Sequence, residues 1–162
     1  MILGHSELIK LIENEKLIED AEFDNVEGAG VDLRLNKIYR IKSGAKLGKD
    51  ERKLPEIEEV KNDSVKLESQ EYVLVETKEK VNIPENISAR MLPRSTLHRS
   101  GVWVFTAFID PGYKGKLIFG MKNMGPKEFE IEKGARIAQI IFEKVEGRTK
   151  NYNGRYQGGK VT

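Results

Sequence analysis

The chain predicts an all-β fold, a sandwich or barrel with one short helix at its N-terminus. Strand-like runs follow one another at EYVLVET (71–77), ISARMLP (87–93), GVWVFTAFI (101–109), KLIFGMKN (116–123), KEFEIE (127–132) and ARIAQIIFEKV (135–145). Turn signals separate them at 84, 111–112, 125–126 and 133–134. Only residues 6–18 carry a helical period. Many short strands at such spacing, after a single helix, are the mark of a closed or doubly layered β fold.

The elements follow in order. SELIKLIENEKLI (6–18) has apolar residues at 8, 9, 11, 12, 17 and 18, with Ser6 as a cap and Glu7 in the first turn, and so reads as an amphipathic helix. VDLRLNKIYRI (31–41) alternates Val31, Leu33 and Leu35 with polar residues, a half-buried strand. Residues 42–66 are charged and turn-rich and contain Pro55, which predicts a loop or weak hairpin with exposed edges. The six runs from 71 to 145 complete the sheet structure. The tail EGRTKNYNGRYQGGKVT has little to bury and is expected to be mobile when nothing is bound. The sequence thus divides into a β domain, 1–147, and a C-terminal tail, 148–162.

Composition narrows the function. A length of 162 residues predicts one domain with a real core. A net charge of +2 with no long basic run argues against nucleic acid. No segment approaches the ~18 apolar residues of a membrane helix, and no signal-peptide pattern opens the chain. Zero Cys together with 33% charged residues suits a cytoplasmic protein, and one from a hot environment. Without Cys, thiolate metal sites are excluded, and with only His5 and His98 a His-rich site is not expected. Any metal is expected to be a hard cation held by oxygen atoms, including a substrate's phosphates.

Several short stretches could carry chemistry, and each has a plain alternative. AFIDPGYKG places Asp110, Pro111 and Gly112 between two apolar runs. Asp110 is either the first corner of a tight turn or a base able to activate water. AGVDLRL sets the acid Asp32 where a strand begins. LPRSTLHRSG collects Arg94, Ser95, Thr96 and Arg99, donors suited to phosphate oxygens or to a solvated loop. GARIAQIIF reads as a core strand in which Gln139 needs a partner, backbone or ligand. NGRYQGG is either a spent terminus or a flap over a bound anion.

Taken in this order, AGVDLRL, PRSTLHRSG, TAFIDPGYKG, GARIAQIIF and NGRYQGG resemble the family that unites trimeric dUTP pyrophosphatases and dCTP deaminases. The match spans about residues 29–158, and its archaeal pyrophosphatases are the nearest in pattern. The resemblance implies a distorted jelly-roll β-barrel, the dUTPase-like or β-clip fold, assembled as a homotrimer with sites at subunit interfaces. It implies Asp110 as the water-activating carboxylate, and Tyr113 as the aromatic that packs on the deoxyribose and leaves no room for a 2′-hydroxyl. Strands 104–108 and 116–120, Thr106 and Ala107 among them, are expected to read the base through backbone groups.

By the same resemblance Arg94, Ser95, Thr96, Arg99 and Gln139 face the phosphates, and Asp32 lies near a triphosphate-bound Mg²⁺. Arg155, Tyr156 and Gln157 are expected to close over the nucleotide. The deaminases carry a proton-shuttling Glu ten residues after the hairpin Asp; here that position is Gly120, and the next acid, Glu128, lies beyond a Met-Gly-Pro turn. The expected reaction is hydrolysis of dUTP to dUMP and pyrophosphate. The alternatives are a dCTP deaminase, alone or combined with dUTP hydrolysis, and a non-catalytic nucleotide-binding jelly roll.

Overall fold

A computed structural model describes all residues, 1–162. The first helix, α1 (His5–Glu15), starts one residue before the predicted helix and ends three before its predicted end. Gly4, not Ser6, is the N-cap, and no side chain caps the helix. Lys16 turns into the left-handed region at φ 53° and ends it. Leu17 and Ile18 are nonetheless buried. Ile18 opens strand β1 (Ile18–Glu19), and Leu17 lies in the bend before it, rather than in a further helical turn.

Strand β2 (Val31–Ile41) has the predicted bounds. The two-residue strands β3 (Lys46–Leu47) and β4 (Arg52–Lys53) form an exposed hairpin. The rest of 42–66 is more ordered than its charge suggests, with β5 (Ile57–Val60) and β6 (Ser64–Leu67). There follow β7 (Tyr72–Asn82), β8 (Ile87–Pro93), a helical turn α2 (Ser95–Arg99), β9 (Val102–Phe105) and β10 (Phe108–Ile109). The chain ends its regular structure with β11 (Lys114–Asn123), β12 (Phe129–Glu132) and β13 (Arg136–Lys144). The run 101–109, expected as one strand, breaks at Thr106 and Ala107 and joins two different neighbours: β9 pairs with β11, and β10 with β8.

The main sheet runs β10-β8-β13-β2-β7-β11-β9, all antiparallel, with β1 added to β7 and β5 to β2. A sheet of this length curls on itself, and the result is a distorted jelly-roll barrel. Strands β6 and β12 form a separate ribbon. Leu8, Leu33, Ile38, Ile137 and Phe142 are fully buried, and α1 closes the core with Leu8, Leu11 and Ile12. Each such burial contributes about 1.5–3 kcal/mol. No helix is long and apolar enough to cross a membrane.

The polar residues of β2 do not face water as alternation predicts. Asp32 and Arg34 are buried beside Leu33. Arg34 is paid for by a dense set of partners: Nε donates to Glu79 Oε1 at 2.6 Å, its backbone N–H to Glu79 Oε2 at 2.8 Å, and Nη2 to the Asp20 carbonyl at 2.6 Å. Its Nη1 pairs with Glu22. A buried charge persists only with such compensation.

Candidate active site

The turn between β10 and β11 is built by its residue types. Pro111 presets φ, and Gly112 takes φ 81°, the left-handed value that a type II turn needs at its third position. The turn closes through the backbone, Tyr113 N–H donating to the Asp110 carbonyl at 3.2 Å. Gly112 N–H and the Tyr113 carbonyl bond to the two sides of Ile83 and tie the turn to the barrel. The Asp110 side chain, exposed at the rim, is therefore not what closes its own turn.

Asp110 borders a cleft of about 370 Å³ whose walls include Thr106, Ala107, Tyr113, Ile118 and Tyr156. Thr106 and Ala107 lie in the gap between β9 and β10, and Thr106 Oγ1 fixes that gap by donating to the Met91 carbonyl at 2.9 Å. The Tyr113 ring is buried, and its hydroxyl donates to the Lys116 carbonyl at 2.7 Å. Burial, with Tyr152 beside it, pushes the Tyr113 phenol up to about 12, so it remains a neutral donor. Tyr152 meets it edge-on at 5.5 Å.

A second cluster stands on the other half of the sheet. Asp32 is only 2% exposed, and its Oδ2 lies 3.2 Å from Arg94 Nη1 and 3.3 Å from Arg136 Nη1. Burial is the leading influence and raises the Asp32 carboxyl above the usual range; the two guanidinium groups oppose it, and Glu27 adds to it. Gln139 is the cross-strand partner of Asp32. A Cβ on Gly30 would come within 2.9 Å of Gln139 Cγ, so that glycine makes room for the amide. Ser95, Thr96 and Arg99 are exposed on α2, directly after Arg94.

Arg136 escaped the sequence reading. Plain alternation puts residues 136 and 139 on opposite faces, but a bulge between Arg136 and Ala138 reverses the phase and brings both to Asp32. The word GARIAQ contained the residue; only the bulge signals its direction.

Two separate clusters of candidate residues therefore exist on one chain. Thr106, Ala107, Asp110, Tyr113 and Tyr156 meet at the cleft, with Gln157 on the turn behind it. Asp32, Arg94 and Gln139 meet at the arginine cluster. Ile109 pairs with Ala89, and Arg94 lies five residues further on, just past the end of β8, which puts it roughly 16 Å from Ile109 at strand rise. Arg155 is in neither place; it lies against the 47–52 hairpin. No cluster of three or more His, Cys, Asp or Glu side chains is arranged to hold a metal.

The profile of the dCTP deaminase-like family matches residues 2–145. The chain belongs to that family. Within the dCTP deaminase-like family, a relative from Methanothermobacter thermautotrophicus is 41% identical over 88% of this chain and 94% of its own length; it is named "Probable deoxyuridine 5'-triphosphate nucleotidohydrolase". A relative from Pyrococcus furiosus, 34% identical over 91% of this chain and 88% of its own, is named dCTP deaminase. Among solved structures, the 2'-deoxycytidine 5'-triphosphate deaminase from Agrobacterium tumefaciens superposes with a TM-score of 0.72 at 22% identity. It covers 89% of this chain and 48% of that one, so this chain spans about half its length, and the likeness concerns the fold.

Proposed function

We propose that this protein hydrolyses dUTP to dUMP and pyrophosphate. The observation that carries the reading is the Asp110 carboxylate, left free at the cleft rim by a turn that closes through backbone alone. Such a carboxylate accepts a proton from a water and aims it at the α-phosphorus. Water attacks, the bond from the α-phosphorus to the bridging oxygen breaks, and pyrophosphate leaves. Tyr113 supports the sugar, and the backbone of Thr106 and Ala107 reads the base. Arg94, with Ser95, Thr96 and Arg99 beside it and Gln139 opposite Asp32, offers donors to the phosphate oxygens. A divalent cation, Mg²⁺ in this reading, would add charge neutralisation on those oxygens, with Asp32 reaching it through water. Tyr156 and Gln157 belong to a lid, residues 148–162, that excludes bulk water; the position of Arg155 by the 47–52 hairpin leaves it a lesser part.

The two clusters, apart on one chain, suit a site completed by a second copy, and we propose a homotrimer. Phe105 and Phe108 at the cleft and Trp103 on the same strand as Phe105, between 46% and 61% exposed, offer apolar surface for such packing. The name of the Methanothermobacter thermautotrophicus relative supports the substrate.

The Pyrococcus furiosus relative keeps dCTP deamination as a second reading. One assay separates them. Purified protein incubated with dUTP or dCTP, followed for pyrophosphate and ammonia, should give pyrophosphate from dUTP and no ammonia from dCTP. Ammonia alone would reverse the reading, and binding without turnover would leave a nucleotide-binding jelly roll.

A further inference from the structure

The tail makes most of its polar contacts with the turn that carries Asp110, and others with Glu85. Gln157 uses both ends of its amide on the turn: Nε2 donates to the Gly112 carbonyl at 3.0 Å, and Oε1 accepts from the Lys114 N–H at 2.8 Å. The Lys114 carbonyl accepts from Gly158 N–H at 2.8 Å, and the Pro111 carbonyl from Tyr152 N–H at 2.7 Å. A little earlier, Asn151 Nδ2 donates to Glu85 Oε1 at 2.7 Å. One side chain thus completes the backbone bonds of the turn as a neighbouring strand would.

The fit is steric as well as polar. A Cβ on Gly115 would meet Gly159 N at 2.5 Å and the Gly158 carbonyl carbon at 2.7 Å. A Cβ on Gly159 would in turn meet Lys116 N at 2.9 Å. Glycines at 115 and 159 allow backbone to lie directly on backbone. This seat has no room for side chains on either surface, and it leaves Tyr156 and Val161 turned to the cleft wall.

We infer that the lid acts in cis: each chain's tail closes on its own hairpin, and Gln157 is the positioning residue that latches it there. This rests on the cleft being the nucleoside site. Gln157 acts through the backbone of residues 112–114, so it holds the Asp110 turn in place as well as the lid. Gln is the suited residue because the turn presents one carbonyl and one N–H, and the amide matches both. A Glu there would face the Gly112 carbonyl with a second acceptor.

The chain contains no Cys, so a reporter pair can be introduced cleanly. Glu85→Cys and Asn151→Cys in one chain, treated with a short bis-maleimide, should give a product of monomer size on a denaturing gel. Dimers and higher ladders would show that the tail docks on another chain and would overturn the inference. This readout needs no substrate, so its outcome is independent of whether dUTP is hydrolysed. For the latch, Gln157→Ala should lower kcat/KM for dUTP about tenfold, the scale of two hydrogen bonds. Most of that loss should fall in kcat, with the melting temperature unchanged. Gln157→Glu should do no better than Ala. Wild-type kcat in both variants, or a melting point lowered in step with the activity, would remove Gln157 from this role.

Discussion

The ring of Tyr72 lies over Gly120, so near that a methyl group at Gly120 would sit 2.8 Å from Tyr72 Cε2 and Cζ. The same ring leans on Phe105, the cross-strand partner of Gly120, with centroids 5.9 Å apart. Burial raises the Tyr72 phenol above its usual value, so it stays protonated and is a poor proton shuttle near neutrality. Any side chain at position 120 would have to displace this aromatic ring.

That relationship sets the first prediction. The unmodified protein should release no ammonia from dCTP, even on long incubation. Gly120→Glu should not install deamination, and it should reduce dUTP turnover by displacing the Tyr72 ring. The double variant Gly120→Ala with Tyr72→Ala should tolerate position 120 better than Gly120→Ala alone. Steady ammonia release by the wild-type chain would mean that another residue, Glu128 for instance, serves as shuttle.

Asp110→Asn should preserve the turn, because its bond uses the backbone carbonyl. We expect dUTP affinity near that of wild type and kcat lower by ~10²-fold or more, the usual cost of a positioned base. Single-turnover kinetics with separately measured binding will show the split. Wild-type turnover would return Asp110 to a purely structural part.

Arg94→Ala removes a donor whose value grows as charge develops on the phosphates, so KM should rise and kcat fall together. Binding of dUTP should suffer more than binding of dUMP. Calorimetric titration of both ligands into parent and variant measures this. Equal affinities for dUTP would mean that the residue only pairs with Asp32.

Asp32 offers a pH test. Its carboxyl is raised in the folded chain, chiefly by burial. The stability that it contributes is therefore complete below the ordinary Asp value of ~4 and is lost as pH rises through its folded value. The melting temperature of the parent relative to Asp32→Asn should decline from acid towards neutral pH. A difference that grows with pH instead would show that Arg94 and Arg136 outweigh burial.

Much of this was legible in the chain itself. Strands β2 and β8 have the predicted bounds, because alternation and flanking turn residues are local signals. The Asp-Pro-Gly turn followed from the conformational limits of Pro111 and Gly112, and the family followed from motif order. The placements that depend on contacts distant in sequence were decided only by the tertiary structure. Leu17 and Ile18 continued a helical pattern, yet both lie outside the helix, Leu17 in a bend and Ile18 in a strand against β7. Asp32 and Arg34 fall on the polar side of an alternating strand, yet partners up to 104 residues away bury and pair them. Arg136 joined Asp32 through a bulge that no period in the sequence reveals. Tyr72 covered Gly120 across neighbouring strands. Short-range sterics and periodicity determine which elements form; register, bulges and the pairing of buried charge depend on strands far apart in the chain, and these decided which residues stand together.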